Sequence, residues 1–508
     1  MDSATTVHRV DRIAESRLPA LRHHVALQAE DGETVTYGAL AARIERASAA
    51  LRVAGLRPGD RMLLVAENCV SMIVVLLAAI RCRAWAVPVN ARLSPGEIDA
   101  IRAHCRPRLS YFSSDASADA QAHARHAGAQ PQALDGAGAM CLSAVDGAAD
   151  PETVEDDPAG EVAVMLYTSG SSGTPKGVML THRNLMYIAE VSARLGAQRE
   201  DDAVYLALPI SHSYGLTSVL LCGLQSGATL YPVARFAAEG LAEAIAGGLT
   251  VFQGVPAMYA RMLDWHRQSG RALTPNRLRL AYIGGSMIDA AKKEAAESLL
   301  GLRLHHGYGL TEAAPSVTRT LGGAAPNGLS VGRPLPGIEV SVRRPEGAPV
   351  PDSGEGELWV RGPNVMKGYY RDPKQTALAV DAEGWLHTGD LARVGAQGEL
   401  YIVGRIKELI IRGGFNVYPA EVEAAIGRNG DVAQCAVVGR STDGDEEVVA
   451  FIEPVPGRSI DTDALKQSLR AQLAPYKIPS RIVCMDKLPA SGNGKLLKAS
   501  IKSLAQQL

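Results

Sequence analysis

Apolar positions return every three to four residues through "YGALAARIERASAALRVAG" (37 to 55) and become continuous in the short runs "RMLLVA" (61 to 66) and "WAVPVN" (85 to 90). The first period predicts an amphipathic helix and the two runs predict buried strands, so the N-terminal part reads as α/β alternation. The longest apolar run, "VSMIVVLLAAI" (70 to 80), stops at Arg81 and is too short to cross a bilayer; a buried helix is expected. Residues 114 to 160, rich in Ala, Gly and Asp, lack periodicity and read as weakly specified surface structure. From 204 to 310 the alternation resumes, with "VYLALPI", "ATLYPV", "TVFQGVP", "LRLAYIGG" and "LRLHHGYG" separated by helical patterns, the first helix starting near 216.

After 330 the pattern shortens to β pieces, "GIEVSVRR", "GELWVRG" and "GELYIVGR". The last hundred residues mix "AQCAVVG" and "EEVVAFIEP" with helices at 419 to 427 and 463 to 473, as in a small α+β domain. The expected fold class is α/β, with a large N-terminal domain of αβ-layered subdomains plus a β-rich subdomain, followed by a small mobile α+β domain. The boundary is placed at 406/407, giving domains 1–406 and 407–508. At 508 residues more than one core is required.

With 46% apolar residues, 21% charged residues and a formal net charge of −2, nothing argues for nucleic acid or an anionic membrane as partner. The seven cysteines are scattered without a C-x-x-C pair, which excludes a cysteine zinc site and fits a reducing, cytoplasmic setting. The N-terminus has no apolar signal region and the C-terminus no peroxisomal tripeptide, so a cytoplasmic location without integral membrane association is expected.

The candidate chemistry starts at "YTSGSSGTPKG" (167 to 177). Gly170 and Gly173 let backbone amides approach an anion, Thr168, Ser169, Ser171, Ser172 and Thr174 add hydroxyls, and Lys176 adds charge. A Walker loop would run straight into a helix, whereas "GVML" follows here and predicts a strand. The loop should hold a polyphosphate without being a P-loop. Further on, "GYGLTEAAP" (307 to 315) offers the flat face of Tyr308, the Thr311 hydroxyl and the Glu312 carboxylate, a ligand type suited to Mg²⁺; a plain helix N-terminus capped by Thr311 is the equal alternative. Asp390 in "WLHTGDLA" could take two ribose hydroxyls or be a turn residue, and Lys495 in "LPASGNGKLLK" by itself would be a surface lysine.

Taken in series, "YTSGSSGTPKGVMLTH", "LPISHSYGL", "GVPAMY", "YGLTE", "SVGRPLPG", "GYYRDP", "TGDLA", "GRIKELIIRGGFNVYPAEVE" and "SGNGK" resemble the adenylate-forming superfamily of acyl-CoA synthetases, adenylation domains and luciferases over nearly the whole chain. The resemblance implies that residues 168 to 176 hold the β- and γ-phosphates of ATP, Thr311 the α-phosphate and Glu312 the Mg²⁺. It implies that Tyr308 stacks on adenine with Gly309 beside it, that Gly284, Gly285 and Ser286 line the base, and that Asp390 with Arg405 holds the ribose. Lys407 matches the hinge, Lys495 the adenylation lysine, and His212 the mouth of the acyl pocket, whose walls would be Ser213, Tyr214, Gly285, Gly307, Ala314 and Pro315. Two departures, Ser172 for the usual Thr and Ala490 for the usual Arg, remove no charge the chemistry needs.

Transfer of the acyl group to coenzyme A is the first choice of second half-reaction. The family's thin pantetheine arm would pass Gly413 and Gly414, the segment Lys407–Gly414 has no insertion of the kind seen in carrier-loading ligases, and no carrier domain follows Lys495. A stand-alone adenylating enzyme serving a separate carrier protein is the alternative; a silent nucleotide sensor is disfavoured by Glu312, Asp390 and Lys495. No arginine obviously meets a second carboxylate, so a fatty or aromatic monocarboxylic acid is expected over a dicarboxylate.

Overall fold

Thr36 accepts the Ala39 amide and starts the helix Tyr37–Val53, whose Leu40, Ile44 and Leu51 are fully buried, the stripe that its sequence period predicts. It packs on the helix Val70–Arg81, which is buried along all twelve residues, and so its pattern is continuous rather than periodic. Full burial of each Val, Leu or Ile there contributes about 1.5–3 kcal/mol to that core. The computed structural model describes residues 9–508 apart from 170–174, 275, 289, 321–327, 345–346, 351–353, 413–414, 443–444 and 491–495 and the side chains of Ser169 and Asn416.

Two large sheets organise the N-terminal part. The nine-stranded sheet runs Arg333–Pro334, Ser316–Arg319, Leu304–Gly309, Leu280–Ile283, Val251–Gly254, Ala203–Leu206, Thr229–Pro232, Val25–Gln28 and Thr34–Thr36. Its middle is parallel, and it turns antiparallel where Gly307 faces Arg319. The eight-stranded sheet has Gly368–Tyr369, Pro175–Thr181 and Val162–Ser169 on one side of Trp85–Asn90 and Arg61–Ala66. Helices Val70–Arg81 and His182–Leu195 and the π-helical segment Tyr214–Leu221 share one core with inward residues of both sheets. Glu339–Arg343, Glu355–Arg361, Leu386–Val394 and Leu400–Arg405 form a separate four-stranded antiparallel sheet, the expected β-rich subdomain.

Beyond Arg405 the strands Val432–Thr442, Asp445–Pro454 and Arg481–Cys484, with helices Pro419–Ile426, Thr462–Arg470 and Lys498–Ala505, enclose small cores of their own. The observed fold is therefore the expected α/β class, with a large N-terminal domain and a small C-terminal domain. One reading needs correction. Residues 114 to 160 are not merely surface coil: Ser117 caps a helix, Ala118–His126, and Gln130–Leu134 pairs with Gly138–Leu142 at the edge of the eight-stranded sheet. An edge strand with four exposed residues in a row carries no alternating pattern, which is why periodicity missed it.

Candidate active site

Strands Val162–Ser169 and Pro175–Thr181 pair antiparallel as a hairpin, Thr168 opposite Lys176 and Ser169 opposite Pro175, and "GVML" is indeed strand. Gly170, Ser171, Ser172, Gly173 and Thr174 themselves, like Gly413, Gly414 and Lys495, lie outside the described residues. At the base of the hairpin, Lys176 Nζ donates to Gln375 Oε1 at 2.7 Å and lies 4.9 Å from the centroid of the Tyr369 ring. The Tyr369 hydroxyl donates in turn to Glu312 Oε1 at 2.8 Å. Burial first, and Glu312 second, push the Tyr369 phenol above its ordinary range, so it remains a donor.

Glu312 sits in the single 3₁₀ turn Thr311–Ala313 that follows the strand Leu304–Gly309. That turn is possible because Leu310 N–H bonds to the Pro315 carbonyl and because a Cβ on Gly309 would stand 2.1 Å from that same oxygen, which only glycine avoids. Thr311 Oγ1 lies 3.3 Å from Ser213 Oγ, which ties the turn to the start of the π-helical segment. Ala314, in the left-handed region at φ 61°, is fully buried behind it. The Thr311 cap reading does not hold, since no helix follows and the turn has no side-chain cap.

Tyr308 points the other way. Its hydroxyl donates to Asp390 Oδ2 at 2.5 Å, and Asp390 Oδ1 accepts from Arg405 Nε at 2.8 Å, across the strand register that pairs Asp390 with Arg405. Asp390 is 3% exposed. Burial, with Asp390 next, holds the Tyr308 phenol well above its ordinary range, and Asp390 raises the Arg405 guanidinium. Each carboxylate oxygen has a second lone pair, so Asp390 can still accept from ribose hydroxyls. Asp390 is therefore an anchored acceptor rather than a turn residue.

Gly284 follows the strand Leu280–Ile283, and a Cβ on it would stand 3.3 Å from the Tyr214 ring. Gly285 has φ +82° and Ser286 is exposed. Ser213 is buried, while His212 precedes it in the turn whose amide bonds to the Pro209 carbonyl. Lys407 lies in the 3₁₀ turn Ile406–Glu408 directly after Arg405. Contacts thus join Lys176, Tyr369 and Glu312, Thr311 and Ser213, and Tyr308, Asp390 and Arg405, with Tyr308, Thr311 and Glu312 on five consecutive residues. Tyr369 and Gln375 were not singled out from sequence, although Tyr369 stands inside the string "GYYRDP".

Among the described residues no group of three or more His, Cys, Asp or Glu side chains could hold a metal ion, which excludes a protein-only metal cage there. A lone carboxylate steadied by a phenol fits a hard cation that brings most of its oxygen ligands with a nucleotide. Among the same residues no helix is long and apolar enough to cross a membrane.

The model of the AMP-binding enzyme family matches residues 15–370, and that of the AMP-binding enzyme C-terminal domain matches 421–495. A feruloyl-CoA synthase of an Amycolatopsis species is 35% identical over 486 residues, covering 94% of this chain and 96% of that protein. The 4-coumarate–CoA ligase 5 of Oryza sativa subsp. japonica is 32% identical over 493 residues, covering 93% and 90%. The ATP-bound crystal structure of MatB from Rhodopseudomonas palustris superposes with a TM-score of 0.85 at 29% identity, over 98% of this chain and 99% of that one. The chain belongs to the adenylate-forming family of AMP-binding enzymes, in its acyl-CoA ligase branch.

Proposed function

We propose that this enzyme activates a carboxylic acid with an aromatic or fatty body as its acyl-adenylate and passes the acyl group to coenzyme A. The observation that carries the reading is the linked set Lys176–Tyr369–Glu312 and Tyr308–Asp390–Arg405, which joins groups chemically suited to phosphate, metal and ribose to one five-residue stretch. In the first step a carboxylate oxygen attacks the α-phosphorus of ATP, and the bond from that phosphorus to the bridging oxygen breaks, releasing pyrophosphate. Lys176 and the hairpin amides would hold the leaving phosphates, and Thr311 would donate to the α-phosphate. Glu312 would hold Mg²⁺, which when bound neutralises charge on the phosphate oxygens.

Lys495 would stabilise negative charge as it moves from carboxylate to phosphate. In the second step the thiol of coenzyme A attacks the acyl carbonyl and AMP leaves with the bond electrons, the thiol proton passing to solvent. Asp390 would keep its grip on the ribose through both steps. His212, Ser213, Tyr214, Gly285, Gly307, Ala314 and Pro315 would line the acyl pocket. Relatives named for ferulate and 4-coumarate support an aromatic acid over a fatty one.

The test is acid-dependent exchange of pyrophosphate into ATP over a panel of acids, followed by thioester formation with coenzyme A. Lys495→Ala should abolish exchange while leaving thioester formation from preformed acyl-adenylate largely intact. Equal loss of both half-reactions would remove Lys495 from its role, and exchange without thioester formation would favour a carrier protein as acceptor.

A further inference from the structure

Four Lys and Arg side chains are buried among the described residues: Arg61, Arg81, Lys293 and Arg319. Three of them are compensated. Arg61 donates to the carbonyls of Cys105, Gly59, Asp150 and Arg106; Arg81 pairs with Glu15 and Glu45; Lys293 pairs with Glu297. Arg319, 5% exposed, instead lies over an aromatic ring, its guanidinium carbon 4.9 Å from the centroid of Tyr282. Among the described residues no carboxylate forms an ion pair with it, and the sequence holds no Asp or Glu between Glu312 and Glu339 that could do so locally.

The place of this charge is as informative as its isolation. Register sets Tyr282 beside His305 and Gly307 opposite Arg319, and residues two apart on a strand share a face, so Tyr282, Gly284, His305, Gly307 and Arg319 occupy one face of the nine-stranded sheet. The Tyr214 ring stands against Gly284, and a Cβ on Gly307 would meet Arg319 Cγ at 3.4 Å. Two of the proposed acyl-pocket walls, Tyr214 and Gly307, therefore belong to the same surface as Arg319. Burial raises the Tyr214 and Tyr282 phenols, and the Arg319 charge opposes that rise at both.

A desolvated cation without a counter-charge is unfavourable, and a ring face compensates it only in part. We infer that Arg319 determines specificity in the acyl pocket by pairing with an anionic oxygen group, a second carboxylate or an ionised phenol, at the end of the acid remote from the reacting carboxylate. The inference rests on the proposed acid:CoA ligase reading, and with Arg319 at the end of the strand Ser316–Arg319 it departs from the expectation that no arginine meets a second anionic group. An acid without the group would leave the guanidinium buried and unpaired in the complex, which is how a site rejects analogues that merely lack a polar group.

The test compares 3-phenylpropanoate with its 4-hydroxy and 4-carboxy derivatives in acid-dependent pyrophosphate release, for the wild type, Arg319→Met and Arg319→Lys. The wild type should favour one substituted acid over the parent by about 100-fold in kcat/KM. Arg319→Met should bring the three acids to within a few-fold of one another by raising activity on the parent, with ATP KM and melting temperature held. Arg319→Lys should retain part of the preference. Which substituted acid wins separates carboxylate from phenol. A ratio unchanged in Arg319→Met, or an equal loss on all three acids, overturns the inference. If none of the three releases pyrophosphate, the wider panel of acids decides the ligase reading, and calorimetry with the acyl-sulfamoyl adenosines of the same three acids decides Arg319 separately. Tighter wild-type binding of a substituted analogue, lost in Arg319→Met, upholds it; equal or undetectable binding of the three overturns it.

Discussion

Asp390→Asn tests whether the Tyr308–Asp390–Arg405 chain binds nucleotide or merely braces the β-rich sheet. The carboxylate accepts from Tyr308 on one oxygen and from Arg405 on the other. Asparagine keeps one acceptor, so it can serve only one of these donors, and it turns an NH₂ toward the other. Because Arg405 is about half exposed, its lost partner is screened, and the stability cost should be about 1–3 kcal/mol rather than that of a fully buried broken pair. On the binding side, a hydrogen bond to a charged acceptor contributes about 1.5–3 kcal/mol and one to a neutral acceptor about half of that. Two ribose hydroxyls then lose roughly 1–3 kcal/mol together, which is about 10- to 100-fold in affinity. The assay is calorimetry with AMP, which requires no chemistry, beside thermal melts of the same samples. Wild type should discriminate AMP from its 2′-deoxy and 3′-deoxy forms, and Asp390→Asn should bind all three about equally weakly. Tyr308→Phe, which keeps the ring and loses the hydroxyl, should lower the melting temperature but change AMP affinity only a few-fold. If Asp390→Asn melts lower yet binds AMP and still discriminates the deoxy forms as the wild type does, Asp390 is an anchor and the ribose is held elsewhere.

Glu312→Gln should raise the Mg²⁺ requirement of adenylation about tenfold or more, and Tyr369→Phe, which only frees the carboxylate, should raise it less; titrations with unchanged Mg²⁺ midpoints would place the metal elsewhere. Lys407→Pro fixes φ near −65° in the 3₁₀ turn Ile406–Glu408, so adenylation should persist while thioester formation falls by orders of magnitude, and Gly414→Leu should reproduce the second loss by filling the thiol's path; losses of both half-reactions in proportion to melting temperature would refute two poses. His182 is 1% exposed, its Nδ1 accepts from Val10 N–H, and burial, with Arg9 and Arg83 next, pushes it down to about 3. The imidazole stays neutral in the fold but binds a proton in the unfolded chain below about pH 6.5, so its contribution is complete above that value and is lost as pH falls, by about 1.4 kcal/mol per pH unit. Thermal melts from pH 7.5 to 5 should show that slope, and His182→Gln should flatten it; an unchanged slope would assign the acid sensitivity to other groups.

How much of this was legible in the sequence depended on whether a residue's neighbours are near in sequence. The helix Val70–Arg81 and the strands from 204 to 310 were readable because periodicity reports local burial. Tyr308, Thr311, Glu312 and Asp390 were readable because each sits in a glycine-containing string whose order carries the resemblance. Tyr369 reaches Glu312 across 57 positions, and Lys176 reaches Gln375 across 199; no spacing rule connects such pairs. Arg319 is harder still. It ends a four-residue strand, "SVTR", whose four residues are all buried, and an arginine there reads as an exposed strand end until the sheet order places Tyr282 beneath it.

The two half-reactions also place a demand on the chain that these contacts meet in a particular way. Arg405 is fastened to Asp390 in the β-rich sheet, and Glu408 is fastened to Lys498 at the start of the last helix, which Glu423 holds as well. Between those two ties lie only Ile406 and Lys407. Rotation there would leave the cores around Val437 and Phe451 intact, since neither includes a residue before Ile410. It would also leave Asp390, the proposed ribose ligand, on the stationary side. An intermediate made in one pose and consumed in another must not dissociate while the small domain moves, and a pivot at Lys407, two residues beyond Arg405, would satisfy that requirement with Asp390 and Arg405 on the ribose as proposed. A pivot before Arg405 would carry that side chain away from Asp390 at the moment when the adenylate has lost the hold of its pyrophosphate, so the proposed order along the chain, ribose contact first and hinge second, suits the chemistry.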